Sequence, residues 1–481
     1  MKRLLSAALL ALFAAGCQDT GPVSPLSTPG GHPSFAATAD PELDAALAAA
    51  TASTPLQVIA VFDDSATTAG AVSSAIQGLG AGVIGFKHLP MVAALATPSQ
   101  IEGIQGIAGV TGVYLNAQLD YHNAEGLESI HADDVHAMGY TGKGIGVAIL
   151  DSGIDGLHPD LAYPSKTIAN VKYVADLEER FSFGGQEPVV GATLFLDNVA
   201  VSETSVGHGT HVAGTAAGKG TASGGKYRGV APGANLIGIG AGDVLFIFWT
   251  LAGFDYILEH RAQYNIKVVN NSWGSAGGAY DPKAPINVAT RKVSDAGVTV
   301  VFSAGNSGPG ENTLNRWSLA PWVISVAAGC KLTDDANAAN WRSRCQDASG
   351  RAPVLAGFSS RGIPGDPMFH PDITAPGVYI VSTRASTGTV MNGLDAPSDL
   401  TRCAIDLTHA PYYTCASGTS MAAPHVAGVV ALMQEAAGGK LKPAKVIEII
   451  RKTATPLPGF AEWEVGSGYL NALEAVKVSR R

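Results

Sequence analysis

From Leu56 onward the chain alternates short apolar runs with stretches of helical spacing. "LQVIAVF" (56–62), "VIGFKHL" (83–89), "MVAALAT" (91–97) and "VTGVYL" (110–115) have strand length and strand composition. Residues 65–79 and "SQIEGIQGI" (99–107) carry apolar residues at helical intervals. The resulting order, β-α-β-β-α-β, is the split βαβ unit of ferredoxin-like domains and predicts a small α+β domain over residues 55–121.

Beyond "QLDYHNAEG" (118–126) the runs become those of buried parallel strands: "IGVAIL" (145–150), "ANLIGIG" (234–240), "KVVNN" (267–271) and "GVTVVF" (297–302). Helical segments between them predict an α/β domain, a parallel sheet with helices on both faces, over residues 122–481. In such sheets ligands sit beyond the carboxyl ends of the strands. Asp151, Ser272 and Asn306, which follow three of these strands, are therefore expected along one edge. "DVLFIFWTLAGFDYILEH" (243–260) is apolar nearly all round at its start; polar interruptions make it a buried helix rather than a membrane span.

The composition permits a large core, with 481 residues, 46% hydrophobic and 15% charged. A net charge of −9 without a long basic run argues against nucleic acid as a partner. The opening "MKRLLSAALLALFAAGCQDT" has two cations, an apolar run from Leu4 to Ala15 and small residues before Cys17, the pattern of an export signal over residues 1–16. "AAGC" (14–17) resembles a bacterial lipobox, which implies lipidation of Cys17; ordinary secretion is the other reading. Residues 17–54, rich in Pro, Gly, Ser, Thr and Ala, read as a flexible tether. Setting Cys17 aside leaves an even set for an exported chain, and proximity in sequence suggests Cys330 with Cys345 and Cys403 with Cys415.

Chemistry enters at "GTSMAAPHVAG" (418–428), where a turn is followed by a small-residue helix expected to begin at Ser420. Pro424 is taken as marking the first helical turn, where a missing amide costs little. A hydroxyl there lies among outward-pointing amides at the positive end of the helix dipole, which suits a nucleophile whose attack creates an oxyanion. A capping serine occupies the same position, and this stretch alone does not separate the two. An acyl-transfer serine also needs a base and an acid to orient that base. "GHGTHVAG" (207–214) supplies His208 at another helix start, and "VAILDSGID" (147–155) supplies Asp151 at a strand end. A metal pair of His208 and His211 lacks an intervening glutamate and a third ligand.

"DSGID", "HGTHVAG", "SAGN" and "GTSMAAPHVAG", in this order, resemble the subtilases, the subtilisin-like serine proteases. "RGVAPGANL" (228–236), "NNSWG" (270–274), "FSSRG" (358–362), "PDITAPG" (371–377) and "GYLNALEAV" (468–476) extend the likeness from about Gly139 to the C-terminal end. The resemblance implies Ser420 as nucleophile, His208 as general base and then acid, Asp151 as its orienting partner, and Asn306 with the Ser420 amide as oxyanion hole. It implies that the backbone around Ser272, Trp273 and Gly274 and around Ser303, Ala304 and Gly305 walls the primary substrate pocket, here open enough for apolar or aromatic residues. Residues 55–121 then resemble an inhibitory propeptide removed by self-cleavage, with Tyr121, Leu119 or a site nearer Gly126 as candidate ends and the cut expected within 116–128.

Catalysis on this plan needs no cofactor. Asp160 matches a family calcium ligand, but the loop "GKGTASGGKYRG" (218–229) lacks the expected asparagine, so a structural carboxylate is the expectation. The implied protein is an exported or lipid-anchored serine endopeptidase, a monomer, acting on proteins or peptides and inhibited by its own propeptide. An inactive subtilase-fold binding scaffold is the alternative, opposed by four intact chemical positions. An α/β-hydrolase esterase is opposed by the motif "GTSMA" and by the order of the three residues.

Overall fold

The computed structural model describes residues 40–116, 118–121, 128–174, 189–190, 194–242, 245–275, 277–331, 355–388, 390–392, 399, 403 and 405–480. These belong to one compact unit, Ala39–Arg481. The expected signal, Cys17 and most of the tether lie outside the described residues.

The small domain opens with helix α1 (Pro41–Ala49), within the stretch read as a tether. Leu43 is buried in the domain's core, and Asp40 Oδ2 accepts the Leu115 amide at 2.7 Å. Ordered structure thus starts before residue 55; a single buried leucine among alanines leaves too weak a period to announce the helix. β1 (Leu56–Phe62), α2 (Ala69–Gly78), β2 (Gly82–Gly85), β3 (Met91–Ala96), α3 (Pro98–Gln105) and β4 (Val110–Leu115) follow in the expected order. The sheet order is β4-β1-β3-β2 with a fifth, two-residue strand, β8 (Val189–Val190), parallel to β2. The other neighbours are antiparallel, and both helices pack on one face, where Val72, Ile76, Ile101 and Ile104 share a core. Alternation then divides β1: Val58 and Ala60 face the domain's own core, while Ile59 and Val61 join the core of the larger domain.

β5 (Gln118–Tyr121) leads out of this domain. The large sheet is built from β6 (Gly146–Asp151), β7 (Thr167–Tyr173), β9 (Phe195–Leu196), β10 (Asn235–Gly240), β12 (Ile266–Asn271), β14 (Thr299–Ser303), β15 (Val323–Gly329) and β16 (Ile373–Pro376). Between these in sequence lie three two-residue strands: β8 (Val189–Val190), β11 (Leu245–Phe246) and β13 (Trp273–Gly274). Its spatial order is β16-β15-β14-β12-β6-β10-β7-β9, parallel except for β9. In β6, Val147 and Ile149 face one core and Ala148 and Leu150 the other, as a strand covered on both faces requires.

On the first face lie α4 (His208–Ala217) and, after α5 and α6 in sequence, α7 (Thr419–Ala436). On the second lie α5 (Ile247–His260) and α6 (Pro285–Asp295), and against them the small domain. The buried helix expected over 243–260 is therefore present from Ile247, with ten of its residues buried.

The small domain is also held by polar contacts. Asp255 on α5 accepts the backbone amides of Lys87 at 2.9 Å and His88 at 2.6 Å, and Tyr114 donates to Asp281 at 2.9 Å. Cys403 and Cys415 are disulfide-bonded as expected. Cys330 is also in a disulfide, and Cys345 lies outside the described residues.

Candidate active site

Parallel strands end together, so β6, β12 and β14 deliver Asp151, Ser272 and the Ser303–Asn306 turn to one edge. Asp151 is fully buried and accepts the Ser152 amide at 2.8 Å. Its Oδ1 lies 2.6 Å from His208 Nδ1, a charge-assisted distance. His208 opens α4, and Gly209 lets that helix approach: a Cβ there would meet the Gly153 carbonyl oxygen at 2.2 Å and Asp151 Cβ at 3.0 Å. The two expected partners are therefore brought together by a glycine that follows the histidine.

α7 begins at Thr419, one residue before the expected start, and packs beside α4. Pro424 stands in its second turn rather than its first. Without a proline N–H, the Ser420 carbonyl four residues earlier has no helical donor, and it accepts the Ser272 hydroxyl instead at 2.6 Å. In return Ser420 Oγ donates to the Ser272 carbonyl at 2.7 Å. The proline thus exchanges one helical bond for a clamp that fixes Ser420 against the end of β12.

Asn306 is turned by Thr419, whose backbone amide and hydroxyl donate to Oδ1 at 2.9 and 3.0 Å. Its Nδ2 is left as the donor end, and the residue that turns it directly precedes Ser420. His211 and His425, the other histidines of these two helices, are each engaged with backbone carbonyls. His211 sits between the carbonyls of Ile380 and Thr414, 3.2 Å from each, and burial pushes its pKa down to about 3. His425 is pushed down to about 3 for the same reason and faces the Met421 carbonyl. Asp155 ties the loop after β6 to Ser386 through bonds of 2.8 and 2.6 Å.

The two segments expected to wall the substrate pocket are tied by a residue the motifs did not reveal. Asn315, fully buried, donates from Nδ2 to the carbonyls of Trp273 and Ser303 at 3.0 Å each, and its amide donates to Ala304 at 2.7 Å. It bridges Ser272–Gly274 and Ser303–Gly305. Trp273 offers only backbone to the cleft, because its indole is buried and donates to the Leu150 carbonyl at 2.8 Å. β5 lies antiparallel between β11 and β13, with Leu119 opposite Leu245 and Tyr121 opposite Trp273. An extended segment of the chain's own backbone is thus paired with the strand that directly follows Ser272.

Asp160 does not offer a free carboxylate. Oδ1 accepts the Ala222 amide at 2.9 Å and Oδ2 the Tyr413 hydroxyl at 2.7 Å. Both oxygens therefore serve hydrogen-bond donors from the protein, a donor set that fits a structural acid better than a calcium ligand. Among the described residues no group of three or more His, Cys, Asp or Glu is arranged to hold a metal ion.

Residues 142–469, more than half of the chain, match the model described as "Subtilase family". The sequence is 31% identical over 415 residues to serine protease AprX of Bacillus subtilis, spanning 81% of this chain and 80% of that protein. It is 29% identical over 314 residues to subtilisin E of the same species, spanning 64% of this chain and 60% of that one. The crystal structure of fervidolysin from Fervidobacterium pennivorans superposes with a TM-score of 0.62 at 22% identity, covering 88% of this chain and 61% of fervidolysin. A doubly covered parallel sheet and the sequence match over most of its length lead to one assignment: the chain belongs to the subtilase family and is a subtilisin-like serine endopeptidase.

Proposed function

We propose that the protein is an exported endopeptidase that cleaves its own chain and then protein substrates through an acyl-enzyme at Ser420. In this mechanism Ser420 Oγ attacks the scissile carbonyl carbon while its proton passes to His208 Nε2. Asp151 holds the imidazole in the tautomer that exposes Nε2 and stabilises the cation formed. The carbonyl oxygen, now an oxyanion, accepts from Asn306 Nδ2 and the Ser420 amide. His208 returns the proton to the leaving amine, and water repeats the sequence on the ester.

The observation that carries the reading is β5, held as a third strand between β11 and β13, the latter directly following Ser272, whose carbonyl accepts the Ser420 hydroxyl. Backbone pairing of this kind binds an extended peptide by its main chain and leaves its side chains to pockets. On this reading residues 55–121, with α1 before them, are the inhibitory propeptide, cut within 116–128, and the signal and Cys17 direct export and lipid anchoring. Gly274 and Gly305 in the pocket walls support a preference for apolar or aromatic residues before the scissile bond, which a peptide library would refute by a strict basic preference.

The test is the intact mass of the wild type and of Ser420→Ala, each before and after a fluorophosphonate probe. Loss of the segment before about Tyr121 and gain of one adduct by the wild type alone supports the proposal. Full-length, unlabelled, folded protein in both refutes it in favour of a binding scaffold.

A further inference from the structure

Glu203 is 2% exposed, and no step of the mechanism uses it. Five donors surround its carboxylate. Oε1 accepts the amides of Thr204 at 3.0 Å and Gly207 at 3.3 Å, Oε2 accepts the amide and hydroxyl of Thr210 at 2.8 and 2.6 Å, and the Ser152 hydroxyl donates to it as well.

Three of these contacts come from Gly207 and Thr210, on the turn that carries His208. The N-cap of α4 is Gly207, with φ of 80°, so no side chain caps the helix locally. A Cβ there would also meet Gly388 Cα at 2.8 Å, which leaves no room for a capping residue. The first amides of the helix are satisfied from outside: Gly209 donates to Ser152 Oγ at 2.8 Å and Thr210 to Glu203. An anion at this end also meets the positive pole of the helix dipole.

The Ser152 contact reaches the other partner, since Ser152 follows Asp151 at the end of β6. One carboxylate therefore grips both the segment presenting the base and the segment presenting the acid that orients it. Thr210 Oγ1 extends the grip by accepting the Asp155 amide at 2.9 Å. Burial is costly for such an anion and pushes the Glu203 carboxyl up to about 7, against the pull of its donors.

We propose that Glu203 is a positioning residue: it locks the first turn of α4 to the end of β6 and so holds the His208 imidazole on Asp151 at proton-transfer geometry. This rests on the reading of Ser420, His208 and Asp151 as the reacting groups.

The test uses the full chain and the near-isosteric Glu203→Gln, whose amide nitrogen opposes donors that now face an acceptor. Displacement of a catalytic group by about 1 Å costs on the order of 10²-fold in rate. The expected result is a fall in kcat of about 10- to 100-fold on a peptide substrate, with KM changed less than about twofold.

In the Ser420→Ala background, the low-field proton resonance of His208 Nδ1–H should shift or broaden on Glu203→Gln. Glu203→Asp, which keeps the charge, should retain part of both signals if the glutamine variant folds poorly. Unchanged kcat together with an unmoved resonance overturns the proposal, as does a rate loss that disappears at assay temperatures well below the variant's unfolding. A wild type without turnover defeats the protease reading alone, because the resonance still reports on Glu203.

Discussion

Gly274→Ala is a small substitution that the pocket cannot absorb. A Cβ at Gly274 would lie 2.0 Å from Asn315 Nδ2 and 2.2 Å from its Cγ, so the whole amide must move. That amide donates to the Trp273 and Ser303 carbonyls, and both residues are fully buried. Each buried group left without its partner costs about 1–3 kcal/mol, so evicting Asn315 costs roughly 2–6 kcal/mol. Asn315→Ala removes the same two bonds directly and should cost a similar amount.

The informative quantity is the coupling between the two. Once Asn315 is truncated, the alanine methyl at 274 enters vacated space, and the double variant should be about as stable as Asn315→Ala alone. The coupling energy then approaches the full cost of Gly274→Ala, far beyond the ~0.5 kcal/mol scatter of independent sites. Denaturant unfolding of the full chain in the Ser420→Ala background measures it without autolysis. Costs that simply add would refute the reasoning, because Asn315 would not then be the neighbour that the methyl displaces.

Other substitutions probe the remaining parts. Asn306→Ala should lower kcat on the order of 10²–10³-fold with little change in KM, the loss measured for one oxyanion donor in this family; single-turnover kinetics checks it. Pro424→Ala restores a helical donor for the Ser420 carbonyl, which competes with the Ser272 hydroxyl; probe labelling of Ser420 should slow while thermal stability is kept or raised, and faster labelling would contradict the clamp. Lys166 is buried, donates to the carbonyls of Pro232 and Ala234, and burial pushes its pKa down to about 7. Its folded pKa lies below its unfolded value near 10.4, so the unfolded chain binds the extra proton and stability rises with pH between about 7 and 10, by at most about 1.4 kcal/mol per pH unit. Lys166→Met should remove this rise in unfolding measurements at pH 7 and pH 9; an unchanged slope would show that the amine is not the source.

The elements legible in the sequence are those whose faces are both buried or cleanly divided. β6, β10, β12 and β14 lie within two residues of the expected runs because a strand covered on both faces must be apolar throughout. Asp151, His208 and Ser420 stand out for another reason, as each lies at or next to the end of an element inside a glycine-rich motif. α1 escaped because only Leu43 anchors it deeply, and an alanine-rich segment beside prolines has the composition of a linker. Asn315 and Glu203 escaped because their roles come from contacts across the fold: Asn315 joins two turns remote in sequence, and Glu203 reaches Ser152 from fifty-one positions away.

Pro424 shows how an inference that lands within a residue of a helix start can rest on the wrong reason. A proline near a helix start is read as filling a position whose amide has no partner, yet here it stands a full turn inside α7. The lost bond is useful because it frees the carbonyl of the residue that bears the hydroxyl. Ser272 then holds Ser420 by both its carbonyl and its Oγ, at 2.6 and 2.7 Å, and Ser272 itself directly follows β12, a central strand of the sheet. The proposed nucleophile is thereby referenced to the same rigid edge that carries Asp151. A helix without the proline would keep only the Oγ bond to Ser272, so that sliding of α7 against α4 would more readily move Ser420 relative to His208.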